Sequence, residues 1–260
     1  MVNLVRTTAS FGLAASLTRA GIAGLRAKAP GGRGRWERKN YAGRTVELYA
    51  GPATAVGTAV GVGRVRPAAG LAVLVAGVCG AYDDVAGAGD SRRGFRDHLG
   101  ALRDGEITSG AVKLFGISAA GLVAGALLRE RAVDKVLAGV VIAGAAHFVN
   151  LVDVRPGAAA GAVLALGVPG LLRSGPGAEI AAATMGAAAA VLPDDLGERA
   201  MLGDTGAHAL GAALGAAVVV GNGRAGLAAH AVALVAAAAC GERVSEAART
   251  VVLPGARRPA

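Results

Sequence analysis

The chain has 260 residues, of which 53% are hydrophobic and only 17% are charged, and its formal net charge is +9. A soluble domain of this length normally has about 25% charged residues. Here the charges cluster and leave eight long charge-free segments, whereas a soluble Ala-rich helical protein, the alternative, would bury only one or two such helices. The pattern therefore predicts an integral membrane protein. The segments are 48–63, 67–82, 114–128, 136–152, 156–172, 180–193, 205–223 and 225–241.

A ninth, weakly hydrophobic span is predicted at residues 1–25. This segment contains Arg6 and Arg19 and lacks the basic-then-apolar layout of a signal peptide. We therefore expect an all-α bundle of about nine transmembrane helices in a single membrane domain, 1–260. A helix needs roughly 20 residues to cross the hydrocarbon core, so the shorter segments require snorkelling side chains or a thinned bilayer.

The connecting segments alternate in their content of Lys and Arg. One set carries 18 of these residues and the other carries seven. The positive-inside rule then places the N-terminus outside and the C-terminus in the cytoplasm. Topology also explains the positive net charge better than nucleic-acid binding does, since no aromatic residues interleave with the basic ones. The cytoplasmic set comprises 26–48, 83–113, 153–155, 193–204 and the tail 242–260.

Aspartates follow the same alternation. Asp83 and Asp84 close the third span, Asp153 follows the fifth, and Asp204 precedes the eighth, all on the predicted cytoplasmic face. Carboxylates from three loops that converge on one surface are suited to Mg²⁺, which favours one or two carboxylates together with substrate phosphates. Cations on the same side would bind the phosphates: Lys113, Arg92, Arg93, Arg96 and Arg199.

Each motif also has a structural interpretation when it is taken alone. The Asp-Asp pair is typical of a solvated helix cap, Gly203-Asp204-Thr-Gly of a turn, and Asn150 with Asp153 of a helix terminus. We interpret Asp194 and Asp195 as an N-cap cluster. His208 is predicted to be structural or solvated, whereas His147 and His230 lie within spans and are expected to form hydrogen bonds between helices.

The order of the motifs resembles that of a known superfamily. Asp83-Asp84, then Asn150-Leu-Val-Asp153, then Met201-Leu-Gly-Asp204-Thr-Gly, each at a predicted cytoplasmic helix end, is similar to the polyprenyl-phosphate sugar-1-phosphate transferases. That superfamily includes the phospho-N-acetylmuramoyl-pentapeptide translocase and the enzymes that start teichoic acid and O-antigen synthesis. The resemblance covers roughly residues 36–250, and it includes Lys39-Asn40 in the first loop and Lys113 before the fourth span.

The resemblance implies a magnesium-dependent enzyme of bacterial cell-envelope glycan (peptidoglycan, cell wall) synthesis in the inner membrane. A polyprenyl phosphate would attack the sugar-proximal phosphorus of a nucleotide-sugar, most simply a UDP-sugar, and UMP would leave. The active-site loops would be 83–113, 153–158 and 193–206. A homodimer is implied by the resemblance alone. The residues with implied roles are Asp83, Asp84 and Asp204 in catalysis, Asp204 and Asp83 at the metal, and Lys39, Asn40, Lys113, Asn150, Asp153 and Arg199 in substrate binding.

The sequence departs from the family pattern at three places. Pro156 stands where the family has a second acidic residue or Asn, Met201 stands where an aromatic residue is frequent, and the His-rich last cytoplasmic loop and the final span are missing. These departures favour an alternative, a catalytically degenerate membrane protein that binds polyprenyl phosphate or partners an envelope-synthesis machine. A transporter is disfavoured because the carboxylates lie at helix ends and not at mid-membrane.

Overall fold

The computed structural model describes residues 4–40, 42–87, 100–101 and 103–251. Predicted phosphate contacts at Arg92, Arg93 and Arg96 lie outside this part of the chain. Ten α-helices and a short 3-10 helix, Arg33–Trp36, are assigned within it. The α-helices are α1 Leu4–Lys28, α2 Ala50–Gly63, α3 Pro67–Ala86, α4 Ser109–Leu128, α5 Ala132–Val152, α6 Ala158–Leu171, α7 Pro176–Leu196, α8 Gly203–Gly221, α9 Arg224–Ala239 and α10 Gly241–Thr250.

The prediction of an all-α membrane bundle is confirmed in its coarse form. Among the described residues, α3, α4, α5 and α8 are each long and apolar enough to cross a membrane, and α9 with α10 qualifies as a fifth, bent by 86°. Helices α2 and α6 have 14 residues each, about 21 Å at 1.5 Å per residue, which is short for a hydrocarbon core of about 30 Å. The number of spans and the topology stay predictions.

The nine predicted segments all coincide with helices, but several boundaries differ. Helix α3 continues to Ala86 and α4 begins at Ser109, so Asp83, Asp84 and Lys113 lie inside helices and not in a loop. The tail predicted at 242–260 begins with α10. Helix α10 contains charged residues, so charge-free segments cannot predict it. These charges are compatible with a helix that has no buried residue.

Helix α8 is the centre of the bundle. It packs against α2, α3, α5, α6 and α7, and 83% of its most apolar stretch is buried inside the bundle. Its Gly and Ala residues allow neighbouring backbones to approach closely. At Gly211 a side chain would overlap the backbone of Ala145 and Ala146 in α5.

Two arginines that follow other helices, one after α4 and one after α6, hold the C-terminus of α8. The Arg129 guanidinium donates to the carbonyl oxygens of Val219 and Asn222, the latter at 2.6 Å. Arg173 Nη1 donates to the Gly221 carbonyl oxygen at 2.6 Å. The last carbonyls of a helix lack partners within it, and positive charge is stabilising there.

A short hairpin covers the aspartate-bearing end of the bundle. Strands β1 (Glu37–Lys39) and β2 (Thr45–Glu47) pair antiparallel. Glu47 N–H donates to the Arg199 carbonyl oxygen at 3.1 Å, and Met201 N–H donates to the Glu47 carbonyl oxygen at 2.9 Å. The hairpin is thereby joined to the segment that leads into α8.

We predict that Gly211→Val destabilises the bundle by about 1–3 kcal/mol, because the new side chain must push α5 away from α8. Thermal unfolding in detergent should show a Tm several degrees lower. Gly12→Val is the matched control, because a Cβ at Gly12 meets no atom within 4 Å. An equal Tm for the two variants would contradict the proposed close approach.

Candidate functional site

Three helices place one ammonium group between two carboxylates. Lys113 of α4 donates to Asp83 Oδ2 of α3 at 2.6 Å and also to Asp204 Oδ2 of α8. The Lys113 side chain is only 19% exposed. The start of α4 is fixed by Thr108, whose Oγ1 accepts the Ala111 N–H at 3.0 Å. This group, Asp83–Lys113–Asp204, is called the ionic cluster below.

Asp84 has a different set of contacts from its neighbour. Its Oδ1 accepts the backbone N–H of Asp204 at 3.0 Å, and its Oδ2 accepts the N–H and the hydroxyl of Thr205 at 3.0 and 2.5 Å. A carboxylate at a helix N-terminus satisfies backbone donors and complements the helix dipole. Asp84 thus caps α8 from another helix. At Gly80, one turn earlier in α3, the backbones of α3 and α8 lie so close together that a side chain would overlap Asp204.

Beside the ionic cluster lies a cleft of about 120 Å³. It is bounded by the hairpin, the end of α5, the end of α7 and the segment before α8. Its lining includes the predicted site residues Lys39, Asn40 and Asp153. Other lining residues are Arg155, Asp195 and Met201.

Asp153 connects this cleft electrostatically to the ionic cluster. Burial raises the pKa of the Asp153 carboxyl well above its ordinary value, and the carboxylates of Asp195, Asp204 and Asp84 raise it further. Asp195 Oδ2 accepts the Gly157 N–H at 3.0 Å. The cleft and the cluster therefore form one acidic region at one end of the bundle.

Two predicted substrate-binding residues are held by neighbouring side chains or backbone. Asn40 Oδ1 accepts the N–H groups of Ala42 and Arg44, and its Nδ2 donates to Glu198 Oε2 at 2.6 Å. Arg199 makes a two-pronged contact with Asp194 Oδ1 at 2.8 and 2.6 Å. These contacts organise the hairpin and the end of α7.

The remaining predicted residues lie close by. Lys39 Nζ donates to Thr45 Oγ1 at 2.8 Å while it lines the cleft. Asn150 lies half-buried in the last turn of α5, three residues before Asp153.

Two structural predictions need correction. Asp194 and Asp195 are not an N-cap cluster, because α7 continues to Leu196 and they lie in its last turn. Arg19 Nη1 donates to Asp194 Oδ2 at 3.0 Å and offsets this unfavourable position of an acid. His230 bonds within its own helix, through Nδ1 to the Gly226 carbonyl oxygen at 2.7 Å, and not to a neighbouring helix.

Sequence reasoning missed two residues of the site. Thr205 bonds to Asp84, and its place beside Asp204 in the Gly-Asp-Thr-Gly motif was an available signal. Glu198 accepts hydrogen bonds from Asn40 and Arg44 and adopts a positive φ of 51°. No local pattern marks it. His208, predicted to be structural or solvated, is buried with Nδ1 2.8 Å from the Asp204 carbonyl oxygen.

The carboxylates of the ionic cluster suit a magnesium ion that takes only part of its ligands from the protein. Within the described ranges, no three His, Cys, Asp or Glu side chains are grouped as a protein-only metal site. Mg²⁺ usually takes one or two carboxylates and completes its shell with water and substrate phosphates. Asp83 and Asp204 already face one shared cation, Lys113, so they are the candidate ligands. The oxygens of Asp84 are engaged by α8.

No known protein-family model matches this sequence, and no curated protein shows a significant match to it. The geometry of the ionic cluster and the cleft is therefore the basis for the function proposed below.

We predict that Asp84→Ala lowers stability by about 0.5–2 kcal/mol, because three donors at the start of α8 lose their acceptor. Asp84→Asn keeps one acceptor oxygen and should have a smaller effect. Thermal unfolding in detergent measures both. Asp104→Ala, an exposed carboxylate, serves as control. If both Asp84 variants unfold at the wild-type temperature, the capping role is wrong.

The raised pKa of Asp153 predicts a pH-dependent stability. The folded-state pKa lies above the unfolded value of about 3.9, so ionisation opposes folding. Stability is then fullest below about pH 4 and decreases as the pH rises toward the folded-state pKa. Asp153→Asn should raise the Tm at pH 7 and have little effect at pH 4. A Tm difference between variant and wild type that is constant from pH 4 to 8 would contradict this, and Asp104→Asn is the control.

Proposed function

We propose that the protein transfers a sugar-1-phosphate from a nucleotide-sugar, with a UDP-sugar as the first candidate, to a polyprenyl phosphate in the bacterial cell membrane. The observation that carries the proposal is the ionic cluster. Its members come from three helices, 30 and 91 residues apart from Lys113, and they meet beside a cleft. Such convergence of paired charges at a helix end in a membrane protein favours a functional site over a structural one.

The surface around the ionic cluster suits an amphiphilic acceptor. Large apolar side chains on α3 and α4 flank it and are exposed: Tyr82, Val85, Val112 and Phe115. An isoprenoid chain would lie against these side chains, and its phosphate would reach Lys113. The exposed apolar residues would thus bind the isoprenoid chain, and Lys113 would bind the phosphate at its end.

The cleft suits the polar donor substrate. Lys39 and Arg155 offer positive charge for a diphosphate, and Asp153 offers a carboxyl group to hydroxyls. Its volume of about 120 Å³ matches part of a nucleotide-sugar only, so the rest would extend over the open rim. Since Asp153 acts electrostatically on Asp204 and Asp84, a ligand in the cleft would lie near the ionic cluster.

In the proposed reaction, an oxygen of the lipid phosphate forms a bond to the sugar-proximal phosphorus. The bond from that phosphorus to the oxygen of the nucleoside monophosphate breaks, and the nucleoside monophosphate leaves with the electron pair. Lys113 would hold the attacking and transferred phosphates, and Asp83 and Asp204 would keep Lys113 in place. Mg²⁺ held by Asp83 and Asp204 would neutralise charge on the diphosphate.

We predict magnesium-dependent release of UMP and formation of a lipid diphosphate-sugar by the purified protein supplied with undecaprenyl phosphate and UDP-sugars. Asp204→Asn and Lys113→Met should each reduce the rate by about 100-fold or more, because each removes a charge at the reacting phosphates. Glu246→Gln, an exposed change on α10, should leave the rate unchanged. Absence of turnover with every nucleotide-sugar tested would contradict the proposal.

A second candidate is a non-catalytic protein that binds polyprenyl phosphate. It is favoured because both carboxylates already have a cationic partner, the ammonium of Lys113. Pro156 and Met201 in the cleft also depart from the family pattern. Retention of polyprenyl phosphate without turnover, together with a functional Asp204→Ala protein in cells, would favour this candidate over the first.

A further inference from the structure

A second, larger cleft lies at the opposite end of the bundle. Its volume is about 200 Å³. Helices α1, α2 and α7 each run between this cleft and the region around the ionic cluster. The cleft forms because α2, with 14 residues, ends between the longer helices α1 and α7. Its polar lining residues are Arg6, Ser10, Arg64 and Glu179.

The described residues that line this second cleft include two arginines and one glutamate. Arg6 Nη1 lies 4.0 Å from Glu179 Oε1. Glu179 lies in the first turn of α7, where the helix dipole already stabilises its carboxylate. Arg6 remains 70% exposed. The described lining therefore carries more positive than negative formal charge, and Ser10 adds a hydroxyl group.

An apolar stripe leads along α2 into the same cleft. Val56 and Val60, 53% and 43% exposed, precede Arg64 at intervals of four residues, so all three lie on one face of the helix. Leu13 and Val65 continue the apolar lining inside the cleft. An amphiphile with a negatively charged head would match both parts of this surface.

We propose that this cleft is a binding site for the phosphate headgroup of an anionic membrane lipid. Arg6, Arg64 and Ser10 bind the phosphate, and Val56 and Val60 contact an acyl chain. The lipid headgroup fills the recess at the C-terminal end of α2. The site is separate from the ionic cluster and does not depend on the proposed transferase activity.

The test is lipid-dependent stabilisation of the purified protein in detergent. Phosphatidylglycerol should raise the Tm and be retained in native mass spectra, whereas phosphatidylcholine with the same acyl chains should do so far less. The double variant Arg6→Gln/Arg64→Gln should weaken phosphatidylglycerol binding roughly tenfold or more. Arg66→Gln, an exposed arginine next to the cleft, is the matched control and should bind as the wild type does.

A second variant protects the test from simple misfolding. Glu179→Gln removes the opposing negative charge and should strengthen phosphatidylglycerol binding, a gain that damage to the fold would not produce. Three results would overturn the proposal: equal stabilisation by the two lipids, equal binding by the double variant and the wild type, or stabilisation by inorganic phosphate as large as that by phosphatidylglycerol. The last would indicate a free-anion site.

Discussion

The structure depends on how the two ends of α8 are held inside the bundle. Where water is excluded, the unpaired N–H groups and carbonyls of a helix end must find partners in the protein. Asp84 supplies acceptors at one end, and Arg129 with Arg173 supplies donors at the other. The same contact that caps α8 also fixes Asp204 against α3. The geometry of the ionic cluster is thus a consequence of helix capping.

Much of the helical layout could be predicted from the sequence because charged residues are expensive in an apolar environment. Helix positions therefore follow from the gaps between charges. The hairpin and α10 could not be found in this way. The hairpin is stabilised by distant partners in the segment before α8, and α10 carries charges because it is exposed. Neither feature coincides with a charge-free segment.

The sequence predicted which residues of the candidate site lie close together, but not which contacts each of them makes. Consecutive residues of a helix point about 100° apart, so Asp83 faces α4 while Asp84 faces α8, and the sequence could not assign these two roles. Similarly, the sequence predicts substrate binding by Asn40 and Arg199, but it does not show that their side chains bond to Glu198 and Asp194. The convergence of Asp83, Lys113 and Asp204 followed from the common face of their helix ends.

The sharp turn between α9 and α10 has a practical consequence. It exposes the thiol of Cys240, and the Ser245 hydroxyl, which donates to the Leu151 carbonyl oxygen at 2.7 Å, holds this turn at the same end of the bundle as Asp153. The other cysteine, Cys79, packs against Gly116 between α3 and α4. A maleimide that cannot cross the bilayer would therefore label Cys240 of this protein in intact cells only if the aspartates face the exterior. The orientation of the chain can thus be determined without adding a cysteine.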